Sequence, residues 1–200
     1  MDEAVAWARQ SLDYEFRDVE LLRQALTHRS APGQNNERLE YLGDAVLDVA
    51  VSEVIFRLRP LASEGVLSRI RSSLVKDTTL ATLATEIGLG QHLILGSGER
   101  RSGGNRRSSI LADALEAIFG AVYLDAGFEE ARRVIYRVYG ERLEHLPDSA
   151  AHRDPKSRLQ ELLQAKQVEL PSYNVEAVTG QAHRQSFEVS CRIGALDTVT

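Results

Sequence analysis

Residues 36–48 read NERLEYLGDAVLD, and this stretch decides how the first part of the chain folds. Leu39, Leu42 and Val46 recur at spacings of three and four residues, and Val49 continues the row. This is the periodicity of one face of an α-helix. We therefore predict a long helix that packs this apolar face against the core.

The opposite face of the same helix is acidic. At about 100° per residue, Glu37, Glu40, Asp44 and Asp48 fall together on it, and lysine is absent from the row. Like charges three or four residues apart cost about 0.2–0.5 kcal/mol per pair. The helix dipole offsets such charge only within the first turn. A solvated face and a cation-binding face are the alternatives, and the missing opposite charges favour a cation.

Composition sets the broad class of the protein. Two hundred residues with 43% hydrophobic content can bury a core and form one large or two small domains. A single cysteine excludes an internal disulfide and suits a reducing compartment. The amino terminus is acidic where a signal peptide is basic, and no apolar run reaches membrane-spanning length. We expect a soluble, cytoplasmic protein without a membrane partner. The net charge of −5 argues against passive polyanion binding.

The first 146 residues read as helices joined by short turns. Asp18 and Ser63 stand where N-caps are expected, Ser108 or Ser109 caps a later helix, and Gly127 ends it. The periodicity predicts helices over residues 2–10, 19–27, 36–58, 64–76, 77–87, 110–124 and 128–146. An all-α domain over residues 1–146 follows.

Residues 96–107 differ in kind, because they contain four glycines and four arginines. We predict a flexible basic loop here. A solvated linker is one interpretation. A phosphate-binding role is the favoured one, because backbone N–H groups and arginine side chains suit phosphate oxygens. The candidate residues are Arg100, Arg101, Arg106 and Arg107.

The helix predicted over 110–124 is apolar almost all round, which indicates a buried central helix. Its charges are Asp113 and Glu116, three residues apart and hence on one face. Buried carboxylates are expensive unless they are paired with a cation. An arginine from a neighbouring helix is one possible partner, and a metal ion is the other.

If this helix crosses the acidic one, Glu37, Glu40 and Asp44 meet Asp113 and Glu116. Oxygen ligands without a His or Cys cluster favour Mg²⁺, with Mn²⁺ as a substitute, over Zn²⁺. Two such ions about 4 Å apart can activate water and stabilise the leaving oxygen in phosphodiester hydrolysis. A glycine within the acidic stretch, at position 43, permits the close helix approach that this requires.

The pattern changes after a linker at residues 147–154. A helix is predicted over 156–166, followed by alternating strands over 173–178 and 186–193. We therefore predict a second, smaller α+β domain over residues 155–200.

Several motifs, in order along the whole chain, resemble those of ribonuclease III. They are residues 25–30 (ALTHRS), 36–47 (NERLEYLGDAVL), 64–68 (EGVLS), 111–117 (LADALEA) and 154–161 (DPKSRLQE). The resemblance implies an all-α endonuclease domain of the ribonuclease III type, followed by a double-stranded RNA-binding domain of order α-β-β-β-α. This chain stops at Thr200, within the expected third strand, so we expect the C-terminal part of that domain to be absent from it.

The resemblance implies an endoribonuclease that cuts double-stranded RNA with Mg²⁺ and leaves 5′-phosphate and 3′-hydroxyl ends with short 3′ overhangs. Processing of ribosomal RNA precursors and of messenger or other structured RNA is the implied role. No small-molecule cofactor is expected. The implied metal ligands are Glu40, Asp44, Asp113 and Glu116, of which Asp44 and Glu116 are assigned to catalysis. Acidic residues with supporting roles are Glu37 and Glu64.

The resemblance also implies partners. The family dimerises through the acidic helix, with an aromatic at the position of Tyr41 seated in the other subunit, so we expect a symmetric homodimer. Gln160, Glu161 and His183 match residues that enter RNA minor grooves.

Asp48 lies outside the motif and is interpreted as a solvated acid. The rival hypotheses are a non-cleaving RNA-binding protein and a hydrolase of small phosphate compounds.

Overall fold

A computed structural model describes residues 1–146, 155–180 and 185–194. The chain divides into two compact units, Met1–Pro147 and Asp148–Thr200, and each is described here by itself. The predicted linker at 147–154 and the predicted RNA-binding residue His183 lie outside the described residues.

The described part of the first unit is helical, as the sequence predicts. A π-helical turn, Ala8–Leu12, extends the first helix, and short 3-10 turns occur at Leu89–Gln91 and Gly104–Arg106. The α-helices are α1 Asp2–Trp7, α2 Val19–Leu26, α3 Glu37–Leu58, α4 Glu64–Val75, α5 Asp77–Glu86, α6 Ser97–Arg101, α7 Ser108–Ala126, α8 Phe128–Tyr139 and α9 Glu141–Glu144.

Helix α7 is the central element of this unit. Eleven of its residues are buried, and it packs against α2, α3, α5 and α8. The prediction of a buried central helix is therefore confirmed. Because α7 is surrounded, Asp113 and Glu116 lie among neighbouring helices, whose side chains can reach them.

Three local predictions are wrong. The helix predicted over 128–146 breaks at Gly140, whose φ of +53° lies in the left-handed region that favours glycine. Neither Ser108 nor Ser109 caps α7, because the helix already begins at Ser108 and Arg107 occupies the N-cap position. Val49 does not join the core and is 56% exposed on α3.

The basic segment 96–107 is also not the flexible loop that its composition predicts. It forms α6 and a 3-10 turn around Glu99, whose carboxylate pairs with the Arg107 guanidinium at 2.8 Å. The Ser102 hydroxyl donates to the backbone oxygen of Glu99 at 3.0 Å. Gly104 packs so closely that a Cβ there would lie 2.6 Å from Glu99 Cγ. One half-buried acid therefore organises a segment that is otherwise rich in glycine and arginine.

The second unit begins with α10, Pro155–Ala165, followed by the antiparallel strands β1 Ser172–Thr179 and β2 Ser186–Arg192. The predicted α-β-β order is confirmed. A bulge between Val175 and Ala177 of β1 shifts the register of its pairing with β2. Apolar side chains on both strands are exposed, namely Val175, Val178, Phe187 and Val189. The residues expected to hold the third strand lie largely outside the described ones.

Within the described residues, no helix is long and apolar enough to cross a lipid bilayer.

Candidate metal centre

Helices α3 and α7 bring three carboxylates together. Glu40 of α3 and Asp113 and Glu116 of α7 offer oxygens that all lie within 4.8 Å of one another. All three side chains are half-buried, so they have lost part of their hydration. Of the five acids that the sequence predicts to meet here, these three form the group, which could hold a metal ion.

The negative charges of the group favour binding of a cation. Burial is the largest cause, followed by the charges of Asp44, Glu40 and Asp113, and together they raise the pKa of Glu116 from its ordinary 4.5 to about 8. A carboxylic acid surrounded by like charges holds its proton because no positive group compensates it. Metal binding would replace that proton.

The pKa values of the other two acids in the group are also raised. Burial raises the pKa of Glu40, and Asp113 is the next largest cause. Burial also raises the pKa of Asp113, with the charge of Asp77 second. Arg29 lowers both values and His28 lowers that of Asp113, so positive groups lie near enough to act but do not neutralise the site.

Asp44 stands apart from the three-carboxylate group, of which it is not a member. Asp44 is an exposed residue. Partial burial of its carboxylate raises its pKa, and the charge of Asp48 is the next cause. Its charge is nevertheless the largest electrostatic contribution at Glu116. Its assignment as a metal ligand and catalytic residue stays a prediction.

Asp77, the first residue of α5, is an acid whose influence on the site is not evident from the sequence. Its charge raises the pKa of both Asp113 and Glu116. Along the chain it looks only like the beginning of a helix. Its proximity to the site depends on how α5 packs against α7, which no local pattern indicates.

A polar cleft of about 730 Å³ lies beside the group. Glu40 and Asp113 belong to both the group and the cleft. The cleft therefore contains both acidic and basic side chains. Such a lining suits a polyanion that contacts the basic side chains while a cation binds to the acidic ones. Its lining residues are His28, Arg29, Ser30, Asn36, Glu37, Glu40, Glu99, Arg107, Ser109, Ile110 and Asp113.

One wall of the cleft is the segment after α2, which the sequence analysis noted as a motif without assigning it to the site. His28 Nδ1 lies 2.8 Å from Ser30 Oγ, and that hydroxyl oxygen accepts from the Gly96 N–H at 3.0 Å. The segment is thereby joined to the beginning of the basic segment. The resemblance to a family motif was the only signal that could have found it.

The two supporting acids lie in different places. Glu37 lines the cleft, where it accepts from Asn35 Nδ2 at 3.0 Å and lies 3.7 Å from Arg29 Nη1. Glu64 lines a different feature, a groove between α3 and α4. Their supporting roles stay predictions.

That groove has a volume of about 750 Å³ and is mostly apolar. On the same helix, Tyr41 is 83% exposed and Phe56, which lines the groove, is 71% exposed. Asp48 also lines it and lies 3.9 Å from Arg71. Large apolar side chains that are exposed in a row commonly mark an interaction surface.

The predicted RNA-binding residues lie in different environments. Of the four arginines, Arg107 lines the cleft, Arg106 lines a smaller pocket beside α5, and Arg100 and Arg101 are exposed on α6. Gln160 is half-buried on α10, whereas the side chain of Glu161 lies outside the described part of the structure. Their contacts with RNA stay predictions.

Two family models match this chain. The family model described as ribonuclease-III-like matches residues 18–143, and that of the double-stranded RNA binding motif matches residues 155–199.

Individual proteins match over most of their length. Ribonuclease 3 of Nitrosococcus oceani is 53% identical over 92% of this chain and 80% of its own. Ribonuclease 3 of Vibrio cholerae is 50% identical over 94% and 83%. The nuclease domain of ribonuclease III from Campylobacter jejuni, whose structure shows flexibility in a region involved in dimer formation, is 44% identical with a TM-score of 0.68. It covers 71% of this chain and 99% of that domain. The chain belongs to the ribonuclease III family.

Proposed function

We propose that this protein is an endoribonuclease that cleaves double-stranded RNA by metal-dependent phosphodiester hydrolysis, giving 5′-phosphate and 3′-hydroxyl ends with short 3′ overhangs. The observation that carries the proposal is the convergence of Glu40, Asp113 and Glu116 within 4.8 Å beside a cleft that also contains Arg29 and Arg107. Family membership and the match to an RNA-binding motif supply the substrate class.

Mg²⁺ is the proposed metal, and Mn²⁺ is the proposed substitute. The ligands would be Glu40, Asp113 and Glu116, with Asp44 as a fourth residue that reaches the same ion or a second one. All of these offer hard carboxylate oxygens, which fit both ions. When bound, the metal supplies activation of the attacking water and stabilisation of the leaving oxygen.

The side chains around it have separate tasks. Glu116 holds a proton at its carboxyl in the metal-free protein and releases it as the cation binds, since its pKa is raised to about 8. Arg29 and Arg107, which line the cleft, would bind backbone phosphates. Glu37, which accepts from Asn35 and lies 3.7 Å from Arg29, would hold the Arg29 guanidinium beside the cleft.

A symmetric homodimer is the proposed assembly. Tyr41 and Phe56 are highly exposed on α3, and the apolar groove between α3 and α4 lies on the same helix. A two-fold axis would bring each exposed aromatic against the partner's groove. The Campylobacter jejuni relative, with its region for dimer formation, supports this proposal. Each subunit would then cut one strand of the duplex.

The second unit is the proposed accessory RNA-binding module, in which Gln160, Glu161 and His183 contact successive minor grooves. The match of the RNA-binding motif to residues 155–199 supports this role. Cytoplasmic processing of ribosomal precursors and of structured messenger RNA is the corresponding cellular function.

The test is cleavage of a long RNA duplex with Mg²⁺ by the wild-type protein and by the Glu116→Gln variant. We expect the wild type to cut and the variant to bind the duplex without cutting. Ca²⁺ in place of Mg²⁺ should permit binding and suppress turnover, because Ca²⁺ adopts longer and looser oxygen geometry. A wild-type protein that binds without cutting would favour the non-cleaving rival. Hydrolysis of small phosphate esters without duplex cleavage would favour the other rival.

A further inference from the structure

Asn36 occupies the N-cap position of α3 but does not cap the helix. An N-cap asparagine normally accepts a hydrogen bond from a backbone N–H of the first turn. Asn36 makes no side-chain capping bond, and its φ and ψ of −85° and −11° are already helical. The preceding residue takes over, since Asn35 Oδ1 accepts from the Glu37 N–H at 3.2 Å. The Asn36 amide is thereby left free for another use.

That amide is buried and lacks a partner. Asn36 is only 3% exposed, and its Nδ2 has no hydrogen-bond partner among the described residues. Its backbone is satisfied, because its N–H donates to the Thr27 oxygen at 2.8 Å and its oxygen accepts from the Glu40 N–H at 2.8 Å. Buried polar groups are nearly always hydrogen-bonded, so an unpaired donor at this position needs a specific reason.

The surroundings of Asn36 provide that reason. It lines the polar cleft together with Glu37, Glu40, Arg29 and Arg107. Glu37 already has partners in Asn35 and Arg29, and Glu40 belongs to the three-carboxylate group. None of the described residues accepts from the Asn36 amide, and the cleft that Asn36 lines is the side from which an acceptor oxygen can approach it.

We propose that Asn36 Nδ2 donates a hydrogen bond to an oxygen of the RNA sugar–phosphate backbone, and that Asn36 is a substrate-binding residue of this site. This inference rests on the proposed function. A neutral amide suits the position, because it offers a donor beside the metal-binding carboxylates without competing with the cation for them. The acceptor is either a non-bridging phosphate oxygen or a ribose 2′-hydroxyl, since both present lone pairs at the edge of an A-form duplex.

The test uses the full chain and compares wild type with Asn36→Ala and Asn36→Leu. The leucine variant keeps the side-chain volume and so covers the case in which the alanine variant does not fold. Gln91→Ala is the matched control, because Gln91 is an exposed amide outside the cleft. Affinity for a short RNA duplex is measured in Ca²⁺, which suppresses cleavage. Both Asn36 variants should bind about three- to tenfold more weakly, as expected for one lost hydrogen bond, and the control should bind like wild type.

Two further measurements separate this role from others. The thermal midpoint of the free Asn36→Leu variant should not fall, because the donor it removes has no partner in the free protein. The Mg²⁺ concentration for half-maximal cleavage should not change. Unchanged RNA affinity in both variants would overturn the proposal. A shift in Mg²⁺ dependence at unchanged RNA affinity would also overturn it, by assigning the amide to the metal ligands.

A duplex with 2′-fluoro nucleotides then distinguishes the two acceptors. If the amide binds a 2′-hydroxyl, the affinity difference between wild type and variant disappears on this duplex. If it binds a phosphate, the difference persists. Wild-type protein that fails to cut duplex RNA would refute the proposed function itself. Normal cleavage by wild type with equal binding by the variants would refute the Asn36 inference alone.

Discussion

Gly43 of α3 and Gly120 of α7 lie directly against each other where the two helices cross. A Cβ on Gly120 would lie 3.0 Å from the Gly43 nitrogen and 2.3 Å from the Leu39 oxygen. A Cβ on Gly43 would lie 1.8 Å from the Glu116 oxygen. Backbone therefore contacts backbone, and this close approach is what places the Glu40 carboxylate opposite that of Glu116.

Replacing Gly43 with alanine should separate the helices. No side chain can move aside to accept the methyl group, because the atom it meets is the backbone oxygen of Glu116. We expect a loss of about 1–3 kcal/mol in the free energy of unfolding, measured by urea denaturation, together with loss of duplex cleavage. Gly98→Ala is the control, since a Cβ at Gly98 meets nothing within 4 Å. Wild-type cleavage by the Gly43 variant would contradict this account of the site.

The stability of the metal-free protein should fall as the pH rises from about 4.5 to 8. In this window native Glu116 keeps the proton that the unfolded chain has already lost, because burial and the neighbouring carboxylates raise its pKa from 4.5 to about 8. The unfolded state then binds fewer protons, so the free energy of unfolding decreases with pH, by at most about 1.4 kcal/mol per unit for one group. Glu40 and Asp113 act in the same direction.

Comparison with Glu116→Gln isolates the contribution of that carboxyl. Burial lowers the pKa of His92, which opposes the trend below its ordinary value of 6.5, but His92 is common to both proteins. Urea denaturation in EDTA at several pH values should show that wild type loses more stability than the variant between pH 5 and about 8. Saturating Mg²⁺ should offset the decline in wild type. Equal slopes for the two proteins would show that Glu116 titrates normally.

Tyr41→Ser should weaken the proposed dimer. The side chain is 83% exposed in the single chain, so its removal costs the free subunit little but takes an aromatic contact from each side of a two-fold interface. We expect sedimentation to shift toward the monomer and cleavage to fall at low protein concentration. Leu124→Ser is the control, because Leu124 is 54% exposed on α7 and outside the groove. A wild-type protein that sediments as a monomer would refute the dimer.

The sequence predicted the acidic row of α3 and the buried α7, because each depends on periodicity within one helix. It also predicted the role of Gly43, because a close crossing of these two helices requires a small residue. It missed Gly120 and Asp77, because their importance arises only where α7 meets α3 and where α5 packs on α7. Composition also misled in residues 96–107. Glycine and arginine content says nothing of Glu99, whose contacts with Arg107 and Gly104 give the segment a defined structure.

That ordered segment leads to a prediction about which arginine binds RNA. Arg107 lines the cleft beside Glu40 and Asp113, and Glu99 holds its guanidinium at 2.8 Å. Removing one phosphate contact should lower the slope of log affinity against log salt concentration by about one. We therefore expect Arg107→Ala to weaken duplex binding in Ca²⁺ and to reduce this slope.

The control for Arg107→Ala is Arg142→Ala. Arg142 makes a comparable ion pair with Glu86 at 2.6 Å but lies outside the cleft, so the variant should leave both the affinity and the salt slope unchanged. Arg107→Lys should recover part of the affinity, because a lysine keeps the charge and loses the forked geometry. A salt slope that is identical for wild type and Arg107→Ala would place the phosphate contacts elsewhere, with the exposed Arg100 and Arg101 as the next residues to substitute.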